Sequence, residues 1–167
     1  FIVKIGYPDK WKDYSGLQVC DSLSLYENMG NISEFFLLDQ LKRKVNKPVD
    51  KTEWLMTPQT INAYYMPTTN EICFPAAILQ PPFFDPNADD AMNYGAIGCV
   101  IGHEMSHGFD DQGSQFDKTG NQNNWWTEAD KKNFEQRTKV LEDAFGKFEA
   151  VPGKFINGKL TLGENIG

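Results

Sequence analysis

The sequence predicts an α+β fold, because separate stretches of it carry strand-like and helix-like patterns. Two short runs of strand-forming residues, 61–65 and 71–74, flank the turn-forming segment Pro-Thr-Thr-Asn at 67–70, which predicts a hairpin. Residues 91–109 and 127–148 predict two helices, the second of them amphipathic.

Composition and charge exclude several classes of protein. The chain has 167 residues, 40% of them hydrophobic and 13% aromatic, which is enough for one domain with a sizeable core. Its net charge is −7 and it has no basic cluster, so we expect no nucleic-acid partner. No apolar run is long enough to span a membrane and no segment reads as a signal peptide, so we expect no membrane contact from this segment.

The first third of the chain predicts one strand and two helices. Residues 1–5 alternate as a strand does, and the Gly-Tyr-Pro-Asp that follows ends it. Asp21 can cap a short helix that ends near Met29. A second helix is predicted over residues 33–45, with Pro48 just beyond its end. The apolar side chains that we expect to face inward are Phe35, Phe36, Leu38 and Leu41.

The helix over residues 91–109 begins after the capping residues at 87–90 and includes Gly95, Gly98 and Gly102. Each glycine costs about 1 kcal/mol relative to alanine in a helix, so we expect this helix to be tightly buried. The side chains that would bury it are Met92, Ile97, Val100 and Ile101.

The helix over residues 127–148 begins with a sequence that resembles a capping box, formed by Thr127 and Asp130. Its buried side chains are expected to be Phe134, Val140, Leu141 and Phe145. Beyond it, the dipeptide Asn-Gly at 157–158 has short apolar runs on both sides and is the strongest hairpin signal of the chain.

The most informative stretch is His-Glu-Met-Ser-His at residues 103–107. On a helix, His103 and His107 lie on one face, one turn apart, and are close enough to share a metal ion. Glu104 directly follows the first histidine, so its carboxylate lies beside such a metal rather than among its ligands. This spacing is typical of zinc peptidases. Because the motif specifies only three positions, two core histidines in a buried helix are the alternative.

A third metal ligand has to come from elsewhere, because a catalytic zinc site usually has three protein ligands and the chain has no third histidine. The ligand would be a carboxylate or a cysteine. Cys99 lies one turn before His103, but helical side chains point toward the N-terminus, so we expect it to be a small core residue. Glu164 lies 57 residues after His107 (164 − 107) and begins a further predicted helix.

Asp110 is the candidate hydrogen-bond partner of a ligand histidine. It is three residues after His107 and seven after His103, so the three side chains share one helix face. A metal-bound histidine usually donates its other ring N–H to such an acceptor. The alternative is a surface acid at the C-terminal end of a helix, where acids are poorly placed in any case.

Six motifs occur in the order in which one known family has them. They lie at residues 62–65, 74–85, 94–97, 103–111, 125–126 and 162–166. Together they resemble the neprilysin and endothelin-converting enzyme family of zinc metallopeptidases, across nearly the whole chain. The resemblance implies a zincin-like (thermolysin-like) α+β core and a zinc-dependent metalloendopeptidase that hydrolyses peptide bonds of oligopeptides.

The resemblance also implies roles for particular residues. His103, His107 and Glu164 would bind one Zn²⁺, and Glu104 would be the general base that activates the zinc-bound water. Asn62 and Ala63 would lie on an edge strand along which the peptide substrate is bound through backbone hydrogen bonds. For Asn62 the alternative is local closure of the hairpin. The aromatic pairs at 83–84 and 125–126 are expected to pack in the core and loops rather than to form a substrate pocket.

The family pattern extends beyond this chain, so we expect residues 1–167 to be a single partial domain, the central part of a neprilysin-like catalytic domain. The helical domain that restricts substrate size would be absent, as would a downstream Asp, His and Arg. This segment alone is then expected to be poorly active or inactive, and the remainder of the same polypeptide is its expected partner. Gly167 stands where the family usually has alanine.

Two other functional classes stay open from the sequence. The first is a zinc-binding domain without catalytic activity, and the second is a structural α+β module in which the motif is coincidental. The family resemblance implies an extracellular, periplasmic or membrane-anchored location, although this segment itself has no targeting signal.

Overall fold

The computed structural model describes all residues, 1–167, and divides them into two compact units. The first unit comprises Phe1–Tyr7 and Leu55–Gly167, and the second comprises Pro8–Trp54. The assignment of the whole chain to a single partial domain stays a prediction. No helix of the chain combines the length and the apolar character that crossing a membrane requires.

The second unit is built on one long helix, α1, Leu25–Lys44. Ser24 and Glu27 form a full capping box at its start, in which each side chain bonds the backbone N–H of the other residue. The prediction of two helices with a cap at Asp21 is therefore wrong. The predicted break contains Gly30, and a single glycine costs only about 1 kcal/mol, which does not end a helix whose first turn is firmly capped.

The apolar side chains of α1 are less buried than the sequence suggests. Phe36, Leu38 and Leu41 are exposed, and only Phe35 is half-buried, where its ring stacks on Tyr14. The prediction that all of these residues face a core is wrong. A unit of this length can bury little surface. The end of the helix is held instead by ion pairs of Arg43 with Asp39, at 2.8 Å, and with Glu53, at 2.9 Å.

The first unit contains a three-stranded sheet in the order β1-β3-β2. Its strands are β1 (Ile2–Gly6), β2 (Tyr64–Met66) and β3 (Glu71–Pro75). β1 runs parallel to β3, and β2 runs antiparallel to it. The predicted N-terminal strand and the predicted hairpin are both confirmed, and Asn70 takes the positive φ of 51° that the hairpin turn requires.

The core lies on one face of this sheet. Ile72 and Phe74 of β3 point into it, together with Ala63, Ile78 and Ile97. The predicted packing role of the aromatic pair at residues 83–84 is confirmed, because both rings pack against this cluster. A single 3₁₀ turn, Ala76–Ile78, follows β3.

The motif helix is two helices rather than one. α2 (Asp90–Gly95) and α3 (Ile97–Ser106) are separated at Ala96, whose φ of −102° and ψ of −88° lie outside the helical region. The prediction of one helix over residues 91–109 is wrong. The physical reason is that the Ile97 N–H donates to the carbonyl of Phe83, 2.9 Å away across the core, instead of continuing the helical ladder.

The prediction that the motif helix is tightly buried is also wrong. Met92 of α2 and Ile101 and Cys99 of α3 are exposed. Ile97 is buried as predicted and Val100 is half-buried against the core, and the other buried residue of α3 is Glu104. A Cβ added at Gly95 or Gly102 would meet nothing within 4 Å. The helix therefore contacts the core along one narrow side only, and Cys99 is not a core residue.

The C-terminal part begins with α4 (Glu128–Phe145), which follows a 3₁₀ turn at Gly113–Gln115. Thr127 caps α4 as predicted and accepts from the Asp130 N–H. Among the expected core side chains, Val140 is 68% exposed, so its predicted burial is wrong; the one buried residue of the helix is Thr138.

The next hairpin lies earlier than predicted. β4 (Glu149–Val151) pairs with β5 (Lys154–Phe155) around Pro152-Gly153, where Gly153 has a φ of +75°. The predicted hairpin at Asn157 is wrong. Its side-chain oxygen instead accepts from the Leu160 N–H, and this turn leads into α5 (Leu162–Ile166), the helix predicted around Glu164.

Candidate metal centre

The two histidines of α3 face one another because they are one turn apart. His103 Nε2 and His107 Nε2 are 3.0 Å apart, and the ring planes are nearly perpendicular. The His107 ring is mostly buried, and the His103 ring is about one-third exposed. Two imidazole nitrogens at this separation can direct their lone pairs at one metal ion.

Asp110 holds the His107 ring in this orientation. Its Oδ2 is 2.8 Å from His107 Nδ1, and its Oδ1 accepts from the backbone N–H groups of Gln112 at 2.8 Å and Gly113 at 2.7 Å. Only 4% of Asp110 is exposed. Because Nδ1–H donates to the carboxylate, the Nε2 lone pair is free for a metal.

Glu104 lies on the core side of the same helix and is 6% exposed. Burial raises the pKa of its carboxyl, against the opposing effect of the two histidines. Donor atoms of His103, Glu104 and His107 all lie within 4.8 Å of one another. The carboxylate is thus beside the histidine pair.

Glu164 is brought to the histidines by α5. Its Oε2 is 3.4 Å from His103 Nε2 and 3.9 Å from His107 Nε2, and 73% of its side chain is exposed. Gly163 makes this approach possible, because a Cβ at that position would lie 2.9 Å from Asp110 Oδ2. Sequence reasoning did not identify Gly163; its only sequence signal is a glycine directly before a candidate ligand.

The separations between these donor atoms fit a tetrahedral metal. Ligands about 2.1 Å from a zinc ion at tetrahedral angles are about 3.4 Å from one another. The three pairs formed by the two Nε2 atoms and Glu164 Oε2 measure 3.0, 3.4 and 3.9 Å. The residues therefore fit an ion with two imidazole ligands and one carboxylate ligand, with the solvent side open for water.

Asn62 and Ala63 directly precede β2, at the edge of the sheet. Ala63 is buried in the core cluster, whereas Asn62 is exposed. The hairpin turn is closed by the backbone N–H groups of Thr69 and Asn70, so it does not depend on the Asn62 side chain.

The chain is similar to known proteins of one family. Residues 62–167 match the family model described as Peptidase family M13. Over 99% of the chain, 46% of residues are identical to neprilysin-11 of Caenorhabditis elegans, and over 97% of the chain 44% are identical to an endothelin-converting enzyme homolog of Locusta migratoria.

Among solved structures, the chain is similar to the zinc metalloprotease Zmp1 of Mycobacterium tuberculosis in complex with an inhibitor. The TM-score is 0.92 at 51% identity, over 99% of this chain and 26% of that one. The chain spans 20% of the neprilysin-11 sequence and 23% of the locust sequence. The predicted zincin-like α+β class is confirmed by these similarities.

Proposed function

The chain belongs to peptidase family M13, and on that premise we propose that the complete protein is a zinc-dependent metalloendopeptidase that cleaves oligopeptides. The observation that carries the proposal is the convergence of His103 Nε2, His107 Nε2 and Glu164 Oε2, at 3.0–3.9 Å from one another. Such a centre holds one Zn²⁺ with an open fourth position for water or substrate.

A bound zinc ion supplies a Lewis acid that acidifies water and polarises a peptide carbonyl. Glu104 is the general base of the proposal: it accepts the proton of the attacking water and delivers it to the leaving amine. Its burial raises the pKa of its carboxyl, which makes the carboxylate a better proton acceptor. Asp110 is the residue that orients His107.

The free edge of the sheet suits an extended peptide. A substrate that adds to this edge would receive sequence-independent hydrogen bonds from the backbone at Ala63, and the Asn62 amide offers one donor and one acceptor group. The peptide bond to be cleaved would then lie near Glu104, because α3, which carries Glu104, contacts β2. The location outside the cytoplasm that the family resemblance implies stays a prediction for the complete protein.

Substituting Glu104→Gln in the full-length protein tests the proposal. The amide keeps the shape of the side chain but cannot accept the proton, so kcat should fall by about 10²–10⁴-fold while zinc stoichiometry is unchanged. Peptide hydrolysis is measured together with metal content, before and after chelation and zinc addition. Glu128→Gln, on the exposed first turn of α4, is the control and should behave as wild type.

Two results would contradict the proposal. Loss of zinc from Glu104→Gln would make Glu104 a ligand rather than the base. Full hydrolysis by the chelated wild-type protein would exclude a metal-dependent reaction.

A further inference from the structure

The backbone of α5 lies against the carboxylates of two adjacent acidic residues. A Cβ atom added at Gly163 would lie 2.9 Å from Asp110 Oδ2 and 3.2 Å from Asp111 Oδ1, whereas ordinary van der Waals contacts are 3.4–4 Å. Only a residue without a Cβ atom lets the helix come this close. Gly163 therefore determines how near α5 can approach the end of the motif helix.

Local conformation and stability do not explain a glycine at this position. Gly163 is not among the residues with a positive φ, so its backbone would accept another residue type. In a helix, alanine is favoured over glycine by about 4–5-fold in the local equilibrium. The approach also buries Asp111 Oδ1, which accepts no hydrogen bond from the protein, and burying such an oxygen is unfavourable. Both features are unfavourable by themselves, so the close contact has another role.

The contact joins the elements that carry two of the candidate metal ligands. Asp110 Oδ2, the atom nearest to a Cβ at Gly163, is the same atom that lies 2.8 Å from His107 Nδ1. The residue after Gly163 is Glu164, whose Oε2 is 3.4 Å from His103 Nε2. One carboxylate thus contacts the ring of one ligand and the backbone directly beside another.

The Asp110 carboxylate is a firm support for α5. The His107 ring and the backbone N–H groups of Gln112 and Gly113 all bond to it, and only 4% of Asp110 is exposed. The Glu164 side chain, by contrast, is 73% exposed, so its position depends on the α5 backbone rather than on packing of its own side chain. A methyl group between the two parts would therefore move α5 and leave the carboxylate in place.

We propose that Asp110 has a second role through its contact with Gly163: it is a common support that orients His107 and also sets the position of α5, and hence of Glu164. The inference rests on the proposed function for the metal, whereas the contact itself does not require one. Gly163 and Asp110 are positioning residues in this role, because each acts on the metal ion only through a ligand.

The first test is Gly163→Ala in the full-length protein, with Gly95→Ala as the matched control. A Cβ at Gly95, the last residue of α2, would meet nothing within 4 Å. Zinc affinity is measured by competition with a chelator. We expect Gly163→Ala to bind zinc about 10–100-fold more weakly, as when another supporting residue of a metal site is lost. Gly95→Ala should stay within about 2-fold of wild type.

Hydrogen exchange of the chelator-treated proteins separates this role from helix propensity. Propensity alone predicts that Gly163→Ala slows the exchange of α5 amides by about 4–5-fold. Loss of the contact predicts the opposite, and we expect the amides of residues 164–166 to exchange at least about 5-fold faster than in wild type. Slower exchange together with wild-type zinc affinity would overturn the proposal.

The double variant with Asp110→Ala tests whether the methyl group acts through this contact. Asp110→Ala removes the oxygen that the methyl group would meet, and by itself it should weaken zinc binding and speed the exchange of α5. In this background Gly163→Ala should lower zinc affinity by less than about 2-fold further. The same factor in both backgrounds would overturn the proposal. A wild-type protein that binds no zinc would refute the proposed function instead, and exchange in the chelator-treated proteins would still test the contact.

Discussion

The carboxylate of Asp110 accepts hydrogen bonds from three donors: the His107 ring and the backbone N–H groups of Gln112 and Gly113. Both of its oxygens are needed, because one faces the ring and the other faces the backbone. This residue therefore connects the end of the motif helix to the loop that follows it. It also specifies which nitrogen of His107 is left free for a metal ion.

Replacement of Asp110 by Asn should weaken zinc binding by about 10–100-fold. Asparagine has a single oxygen, so its NH₂ group would face either the His107 Nδ1–H or the two backbone N–H donors. Zinc affinity measured by competition with a chelator checks this. Asp111→Asn is the control, because the Asp111 side chain contacts Gln112 but neither histidine. Equal zinc affinity of Asp110→Asn and wild type would show that His107 does not depend on this hydrogen bond.

For single residues, the sequence predicted contacts best where the spacing of two residues along one helix determines whether their side chains meet. The relation of Asp110 to His107 follows from the i, i+3 spacing, and the structure places the two atoms 2.8 Å apart. The role of Gly163 could not be predicted, because it depends on a contact with a distant part of the chain. The metal-binding roles themselves stay predictions.

Among the elements, the turn before α4 is organised by one acidic side chain. Asp117 Oδ1 accepts from the Thr119 N–H at 2.9 Å, the Thr119 hydroxyl at 2.6 Å and the Asn121 N–H at 3.2 Å. These hydrogen bonds, those from Thr119 first, lower the pKa of Asp117 to about 2 from an ordinary value of 3.8. The carboxylate form is therefore the form that holds the turn together.

The stabilising contribution of Asp117 should depend on pH in one direction. Its folded-state pKa lies below its unfolded value, so the contribution is present above about pH 4 and is lost as the pH falls toward 2. Asp117→Asn should accordingly melt below wild type at neutral pH, and this difference should shrink on acidification. Thermal unfolding of chelator-treated protein from pH 7 to pH 3 measures it. A difference that is constant over this range would contradict the assignment.

Element boundaries were the least predictable feature, and specific hydrogen bonds explain two of the errors. The motif helix breaks at Ala96 because the Ile97 N–H bonds to Phe83, a residue 14 positions earlier (97 − 83). The dipeptide Asn157-Gly158 is a strong hairpin sequence, but the hairpin forms around Pro152-Gly153. Asn157 instead accepts a hydrogen bond from the Leu160 N–H in the turn before α5. Local caps, by contrast, depend only on neighbours, and the cap at Thr127 was predicted correctly.

For the molecule as a whole, the candidate centre joins parts of the first unit that are far apart in sequence. α3 supplies the histidines and Glu104, and α5 supplies Glu164. α5 is the weakest of these parts: it has five residues, and its ligand side chain is 73% exposed. A helix so short is marginal without further contacts. A metal ion that bridges α3 and α5 would supply such a contact.

Zinc should therefore stabilise this unit and slow local opening of α5 in particular. By mass action, a free zinc concentration 100 times the dissociation constant adds about 2.7 kcal/mol to the free energy of unfolding. Hydrogen exchange of the full-length protein with zinc and with chelator provides the measurement. Amides of Leu162–Ile166 should gain more protection than those of the β4–β5 hairpin, which supplies no ligand.

Glu164→Gln is the matched variant, because its amide keeps the shape of the side chain but binds zinc more weakly, so the added protection of α5 should largely disappear. Equal protection of α5 in Glu164→Gln and wild type would mean that the third ligand lies elsewhere in the protein, even if the two histidines still bind the ion.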